Sequence, residues 1–251
     1  MRFVRLQRTI ALIVAIVCAA PLTGLARPAK KSKVSNLTSC PAWGSETRGK
    51  PRALLNEVKR RVPTGSTAAR LDVAAFVTLQ QQADARVTSG PDSNFSAAQR
   101  AQLRDLPVGD LRVSEGDLVA LSGFVVGKPH GNVGESVNCY LSGPANNDFE
   151  ISIGAEPRSA DRAAITVEMI PQDRPQAWTL PRLRRLASDG RRVLVFGQLM
   201  FDSHHKLGDR PRLSLWEVHP ITRFLVCQRP DNGCDPNDEA AWVALETIPE
   251  R

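Results

Sequence analysis

The sequence predicts a mainly β fold with helices, of the α+β kind: a closed Greek-key barrel preceded by a small helical region. Three observations predict it. Helical periodicity is concentrated between residues 52 and 111. From Asp117 onward the chain turns into short apolar runs separated by Gly, Pro and Asn, the pattern of strands and turns. A single helical stretch then interrupts the strands, near residues 180–187. With 42% hydrophobic and 24% charged residues in 251, the composition is that of a globular protein.

The N-terminus is written for targeting. Arg2, Arg5 and Arg8 form a positive region, residues 9–26 carry no charge, and Gly24-Leu25-Ala26 precedes Arg27 with a small-x-small pattern. This is the layout of a secretory signal peptide over residues 1–26. The alternative is an uncleaved anchor, for which Pro21 and Gly24 are unfavourable. Cys18 lacks the flanking residues of a lipoprotein site. No later segment is long and apolar enough to span a bilayer, so no membrane span is expected after cleavage. The expected location is the periplasm or the cell exterior.

Export sets the reading of the cysteines. Of the 5 in the chain, Cys18 leaves with the signal, and Cys40, Cys139, Cys227 and Cys234 remain. An even number in an oxidising compartment points to two disulfides. The turn-like Arg229-Pro230-Asp231-Asn232-Gly233 suits a local bridge between Cys227 and Cys234, and the sequence leaves the pairing open. A zinc site lacks any close Cys/His spacing.

Each later element has its own signal. Residues 27–51, rich in Lys, Ser, Pro and Gly, are expected to be a flexible basic arm. Leu54, Leu55 and Val58 define a helix ended by Pro63, and Leu71, Ala75 and Leu79 a second over 71–86. Ser96-Ala97-Ala98-Gln99 fits a capping box that starts a third short helix, up to about Leu106. Strands follow at 118–126, bent at Gly123, then at 137–141, 149–153 and 164–170. Residues 180–187 form the internal helix, with Thr179 as cap, Pro181 in its first turn and Gly190 as its stop. Two strands at 193–201 and 213–227 end the region, and residues 228–251 are expected to be a C-terminal tail.

Three strands, a helix and two strands is the order of the OB-fold, a five-stranded Greek-key barrel, and residues 112–227 resemble it. Asn138-Cys139, Asn147-Asp148, Val167-Glu168-Met169-Ile170-Pro171 and Trp216-Glu217-Val218-His219-Pro220 resemble phrases of a group of exported bacterial OB-like proteins. That resemblance implies export and the fold, and no activity.

The candidate site lies on the last two strands. Alternation puts Glu217 and His219 on one face and Trp216 and Val218 on the other. Asp202, His204 and His205 sit in the loop leading back to that strand, so three of the 4 histidines fall in one region. Imidazole with carboxylate suits a divalent metal or acid/base work. Asp148 and Glu168 are placed to reach the same barrel mouth. A purely structural reading stands beside this one. Glu217 then pairs with Arg212 or Arg223, His219 bonds a backbone carbonyl, and His204-His205 is loop surface. Asp148 shapes a turn with Asn146 and Asn147, and Glu168 is solvated. Side-chain atoms more than about 8 Å apart exclude a shared ion.

Other classes are excluded or unsupported. No GxSxG, P-loop, GxGxxG or EF-hand pattern occurs. Staphylococcal-type nucleases are secreted OB barrels. Glu168, Asp148 and Arg174 have suitable chemistry for such an enzyme, but the segments around them do not match that family, and its roles are not carried over. The formal net charge of +7 comes from Arg2, Arg5, Arg8, Arg27, Lys30, Lys31 and Lys33, with no acidic residue before Val34. The rest of the chain is balanced, and arginines 182, 184, 185, 191 and 192 read as a solvated helix face, so nucleic acid is not an expected partner. The sequence favours a non-enzymatic binding module of the bacterial envelope or exterior, with an oligosaccharide, a peptide or an envelope protein as partner. No cofactor is expected, although a divalent metal would fit. The alternative is a metal-dependent hydrolase of the phosphodiesterase or nuclease kind, using the His/Asp/Glu cluster.

Overall fold

The computed structural model describes residues 33–88, 94–205 and 212–250. Along them the chain forms α1 (Pro51–Lys59), β1 (Ala69–Leu71), α2 (Val73–Arg86), α3 (Ala97–Arg100), β2 (Leu106–Val108) and β3 (Leu111–Val113). There follow β4 (Leu118–Gly131), β5 (Phe149–Gly154), β6 (Ala164–Met169), α4 (Leu180–Asp189), β7 (Arg192–Phe201), β8 (Trp216–Cys227) and β9 (Trp242–Ala244).

One long strand makes closure possible. The first part of β4 pairs antiparallel with β7, from Leu118 opposite Gln198 to Phe124 opposite Arg192. Its second part pairs antiparallel with β5, from Phe124 opposite Gly154 to Gly131 opposite Phe149. Gly123 stands where the partner changes: a Cβ there would lie 2.6 Å from the Gly154 carbonyl oxygen. From β5 the sheet passes to β6, from β6 in parallel to β8, and from β8 to β7, which returns to β4. Five strands thus close in the order β4-β5-β6-β8-β7, with α4 inserted between β6 and β7. This is the OB-like arrangement.

Helix α4 is punctuated as its residues demand. The Thr179 hydroxyl accepts from the Arg182 N–H, Pro181 lies in the first turn, and Gly190 ends the helix at φ 59°. Leu183 and Leu186 are fully buried in the same core as Val193, Val195 and Phe224. The Ser96–Gln99 capping box is complete in α3.

Several local expectations give way to tertiary structure. Residues 137–141 form a turn, not a strand: Cys139 and Tyr140 have φ of 53° and 58°, and Cys139 is tied to Cys40. The second disulfide joins Cys227 to Cys234. The second helix begins at Val73 under an Asp72 cap, because Leu71 belongs to β1, which adds in parallel to β4. The third helix stops at Arg100, since Leu106 already pairs in the β2–β3 hairpin. The region 52–111 is therefore mixed, not helical alone.

The arm and the tail are also part of the fold. Residues 33–50, expected within the flexible arm, are held by the Cys40–Cys139 bridge and by Asn56, whose Nδ2 donates to the Trp43 carbonyl at 2.9 Å. In the tail, β9 pairs with β8, and Trp242 and Leu245 are buried. The segment 1–26 and the first part of the arm lie outside the described residues, as do residues 206–211 of the β7–β8 loop. Among the described residues, no helix is long and apolar enough to cross a membrane.

Candidate functional site

The site stands on the outer wall of the barrel, not at its mouth. Strand alternation explains this. Val167, Met169, Leu199 and Val218 belong to the barrel core, so their neighbours Glu168, Gln198, Glu217 and His219 point the other way. That face is nevertheless closed to water: Glu217 and His219 are 0% exposed and Glu168 is 2% exposed. Helix α1 and the segment 132–148 lie over it. The Gln198 amide donates to the Val58 carbonyl at 2.8 Å and to the His219 carbonyl at 2.7 Å. Asn56 Nδ2 reaches Ser136 Oγ at 3.2 Å. The arm and segment touch so closely that a Cβ on Gly44, which has φ of 62°, would meet the Ser136 carbonyl oxygen at 2.1 Å. The Cys40–Cys139 bridge ties them together.

Two linked groups of charges lie beneath this cover. In the first, His219 Nδ1 is 3.3 Å from Glu168 Oε2 and 3.5 Å from Glu217 Oε2. Its Nε2 is 3.9 Å from Asp148 Oδ2. The other Asp148 oxygen accepts from Asn138 Nδ2 at 2.8 Å, and Gln172 holds Asn138 at 3.0 Å. In the second, Lys59 Nζ lies 3.5 Å from Asp202 Oδ2 and 3.8 Å from Glu135 Oε1. His205 Nε2 is 3.7 Å from the same Asp202 oxygen. Arg212 joins the groups, pairing closely with Glu217 and standing 3.8 Å from Glu150. Asn132 Nδ2 donates to Glu150 at 3.2 Å and to Glu168 at 3.4 Å.

Burial dominates the electrostatics. It pushes the Glu217 carboxyl up to about 7 despite Arg212, and it raises Asp148 and Glu168 well above the usual carboxylate range, with Glu135 adding repulsion to both. It drives His219 down to about 3, with the Lys59 charge adding to the effect, so the imidazole is neutral. Asp202 is the exception: burial opposes its charge, yet Lys59, His205 and Arg212 hold it well below the usual range. Burial likewise opposes the Lys59 ammonium, and Asp202, Glu168 and Glu135 more than restore it.

The structure places the residues singled out by sequence as follows. Glu217, His219, Asp148 and Glu168 come together, and Asp202 with His205 forms the adjoining group. His204 is exposed and donates its backbone N–H to Asp202. Glu168 is not solvated, and Asp148 faces the cluster rather than serving a turn, because α1 and its loop seal the wall. Glu217 does pair with Arg212. Sequence reasoning missed Lys59, Glu135 and Glu150. For Lys59 a signal existed: with Leu55 and Val58 it occupies i, i+3 and i+4 positions, hence the buried face of α1. Glu135 carried none, since only the tertiary cover brings it in.

A cavity of about 390 Å³ opens above the cluster, between α1, the segment 130–137 and the 204–205 loop. Its lining is mostly polar and of both signs, with Arg52, Lys59, Asn132, Glu135, Glu150 and Glu168 among the contributors. Against known proteins, the chain matches no family model, no curated protein and no solved structure.

Proposed function

We propose that the protein is an exported binding module of the bacterial envelope or exterior that takes the end of an oligosaccharide into the cavity on its barrel wall. The cavity carries this reading. Its volume of about 390 Å³ is in the range of small-molecule sites. The carboxylates of Glu135 and Glu150 accept from hydroxyls, and Arg52 and the imidazole of His204 donate to them. Of the group around His219 among the described residues, Glu168 lines the cavity and Asp148, Glu217 and His219 do not. Asp148, Glu217 and His219 stay behind the wall, out of reach of a substrate, which supports binding over turnover. The two disulfides and the targeting pattern of residues 1–26 support export.

The test is an NMR titration of the full mature chain with short glycans. Shift changes are expected at Asn132, Gly134, Ser136 and His204, and are lost in Arg52→Ala and Asn132→Ala. Shifts scattered over other faces, or none with any glycan, overturn the assignment. Export has its own check: the N-terminus of the chain recovered outside the cytoplasm is expected to begin at Arg27. Retention in the cytoplasm beginning at Met1 overturns it.

A further inference from the structure

We propose that Asp148, Glu168 and His219 hold one divalent transition-metal cation of the zinc or manganese class, buried between the segment before β5 and strands β6 and β8. This goes beyond the ligand-binding reading and does not depend on it. The geometry comes first. One ligand atom from each residue can be chosen so that all lie within 4.8 Å of one another. An ion at the centre of such a triangle is at most about 2.8 Å from each atom. Zinc bonds to nitrogen and oxygen run about 2.0–2.2 Å, so each side chain closes on the ion by under about 1 Å. Glu217 Oε2, 3.5 Å from the same imidazole, offers a further oxygen.

The second observation is a set of atoms with nothing to bond. Asp148 Oδ2, Glu168 Oε2, Glu217 Oε2 and both ring nitrogens of His219 are buried and make no hydrogen bond, although His219 and Asp148 are 0% exposed. Buried polar atoms in folded proteins are nearly always satisfied. Only one ring nitrogen of His219 can ligate a given ion; the other then carries the proton and still faces a carboxylate, Asp148 on the Nε2 side or Glu168 and Glu217 on the Nδ1 side. The outer partners of the carboxylates are already in place: Asn138 holds the second oxygen of Asp148, Gln172 holds Asn138, and Asn132 holds the second oxygen of Glu168.

Charge gives the third argument. Among the described residues six carboxylates face this wall: Glu135, Asp148, Glu150, Glu168, Asp202 and Glu217. Lys59 answers Asp202 and Glu135, and Arg212 answers Glu217 and Glu150. Among the described residues no Lys or Arg lies within 4.0 Å of Asp148 or Glu168, whose ion-pair contacts are with His219 alone. Among the described residues six carboxylates thus face two cations, and Asp148 and Glu168 are the two with neither cation as an ion-pair partner, the two that a divalent ion would neutralise as its ligands. The donor set selects among such ions. Calcium seeks six to eight oxygens and magnesium an octahedron of oxygens, whereas imidazole with carboxylates suits zinc and manganese. The ion would pin the 132–148 segment to the barrel wall.

The test uses the full chain, exported through its own N-terminal segment and purified without a metal-binding tag. Elemental analysis is expected to find one equivalent of zinc or manganese. Chelation is expected to lower the melting temperature by about 5 °C or more, and ZnCl₂ or MnCl₂ to restore it where MgCl₂ and CaCl₂ do not. Asp148→Asn and Glu168→Gln are expected to weaken binding of the added ion at least tenfold, while Glu239→Gln, at an exposed side chain outside the cluster, leaves it unchanged. Should either carboxylate variant fail to fold, titration of the stripped wild-type chain with Co²⁺ decides, through the visible spectrum of a low-coordinate nitrogen–oxygen site. The proposal is overturned by wild-type protein that carries no metal above background and whose melting temperature responds to none of the four ions. It is overturned equally by metal binding that survives both carboxylate variants, or by a Co²⁺ spectrum of the octahedral aquo type.

Discussion

Replacing Lys59 by methionine keeps the aliphatic stem and removes the charge that faces Asp202. Lys59 is 7% exposed and Asp202 1% exposed, with Nζ 3.5 Å from Oδ2. At an effective dielectric of about 20, Coulomb's law makes a pair at that distance worth about 5 kcal/mol. Removing one partner of a buried pair costs about 3–5 kcal/mol, because the other charge is left stranded. We therefore expect Lys59→Met to lose about 3–5 kcal/mol at neutral pH, a large share of the usual 5–15 kcal/mol of a domain, roughly stated. The loss also has a pH signature. In the native protein Asp202 is held below its ordinary 3.8, so its contribution is present above that value and is lost as pH falls through the lower folded value. Without Lys59, burial is opposed by His205, Arg212 and the His204 N–H, and the Asp202 value rises. The stranded carboxylate then takes a proton at a higher pH than in the wild type, and the gap between variant and wild type narrows as the pH falls. Urea unfolding followed by tryptophan fluorescence, at pH 7 and near pH 4.5, measures both effects. Adding Asp202→Asn to the variant is expected to recover at least half of the loss, since the two sites are coupled. A loss under about 1 kcal/mol, or a gap that does not change with pH, would refute the claim that this pair is shielded from water.

Other expectations concern the frame around the site. The Cys40–Cys139 bridge spans 99 residues and Cys227–Cys234 spans 7, so loop-closure entropy predicts losses of about 4.7 and about 2.4 kcal/mol for the two Cys→Ser double variants. Urea melts that rank them in the opposite order would count against the entropic account. Gly123→Ala forces a Cβ to 2.6 Å from the Gly154 carbonyl oxygen and is expected to cost about 1–3 kcal/mol. Gly65→Ala, whose nearest contact would be 3.5 Å, serves as the near-neutral comparison in the same melts. Trp242→Ala is expected to cost about 3–5 kcal/mol by thermal unfolding, because Trp242 is 6% exposed and its indole N–H donates to the Asp235 carbonyl at 2.8 Å. A smaller effect would mean that β9 is only loosely attached.

Much of the barrel was legible because its signals are local. Thr179, Pro181 and Gly190 mark the two ends of α4 through the backbone geometry each favours. Gly123 marks the bend where β4 exchanges partners. The two-residue period of β8 puts Glu217 and His219 on one face whatever the rest of the chain does. The balance of charge after Lys33 is also a matter of sequence alone.

What tertiary structure decided is which face of that wall is closed, and by what. Residues 137–141 look like a strand, and become a turn because Cys139 is bound to Cys40 and takes a left-handed conformation. That bridge and α1 cover a sheet face that would otherwise be solvated, and the cover turns Glu168 from a surface acid into a buried one. Lys59 answers Asp202 across 143 positions of chain, and no local pattern encodes so distant a pairing. Periodicity can show that an acid and an imidazole share a face. Only the packing of a second layer on that face excludes water, and exclusion of water is what makes their charges consequential.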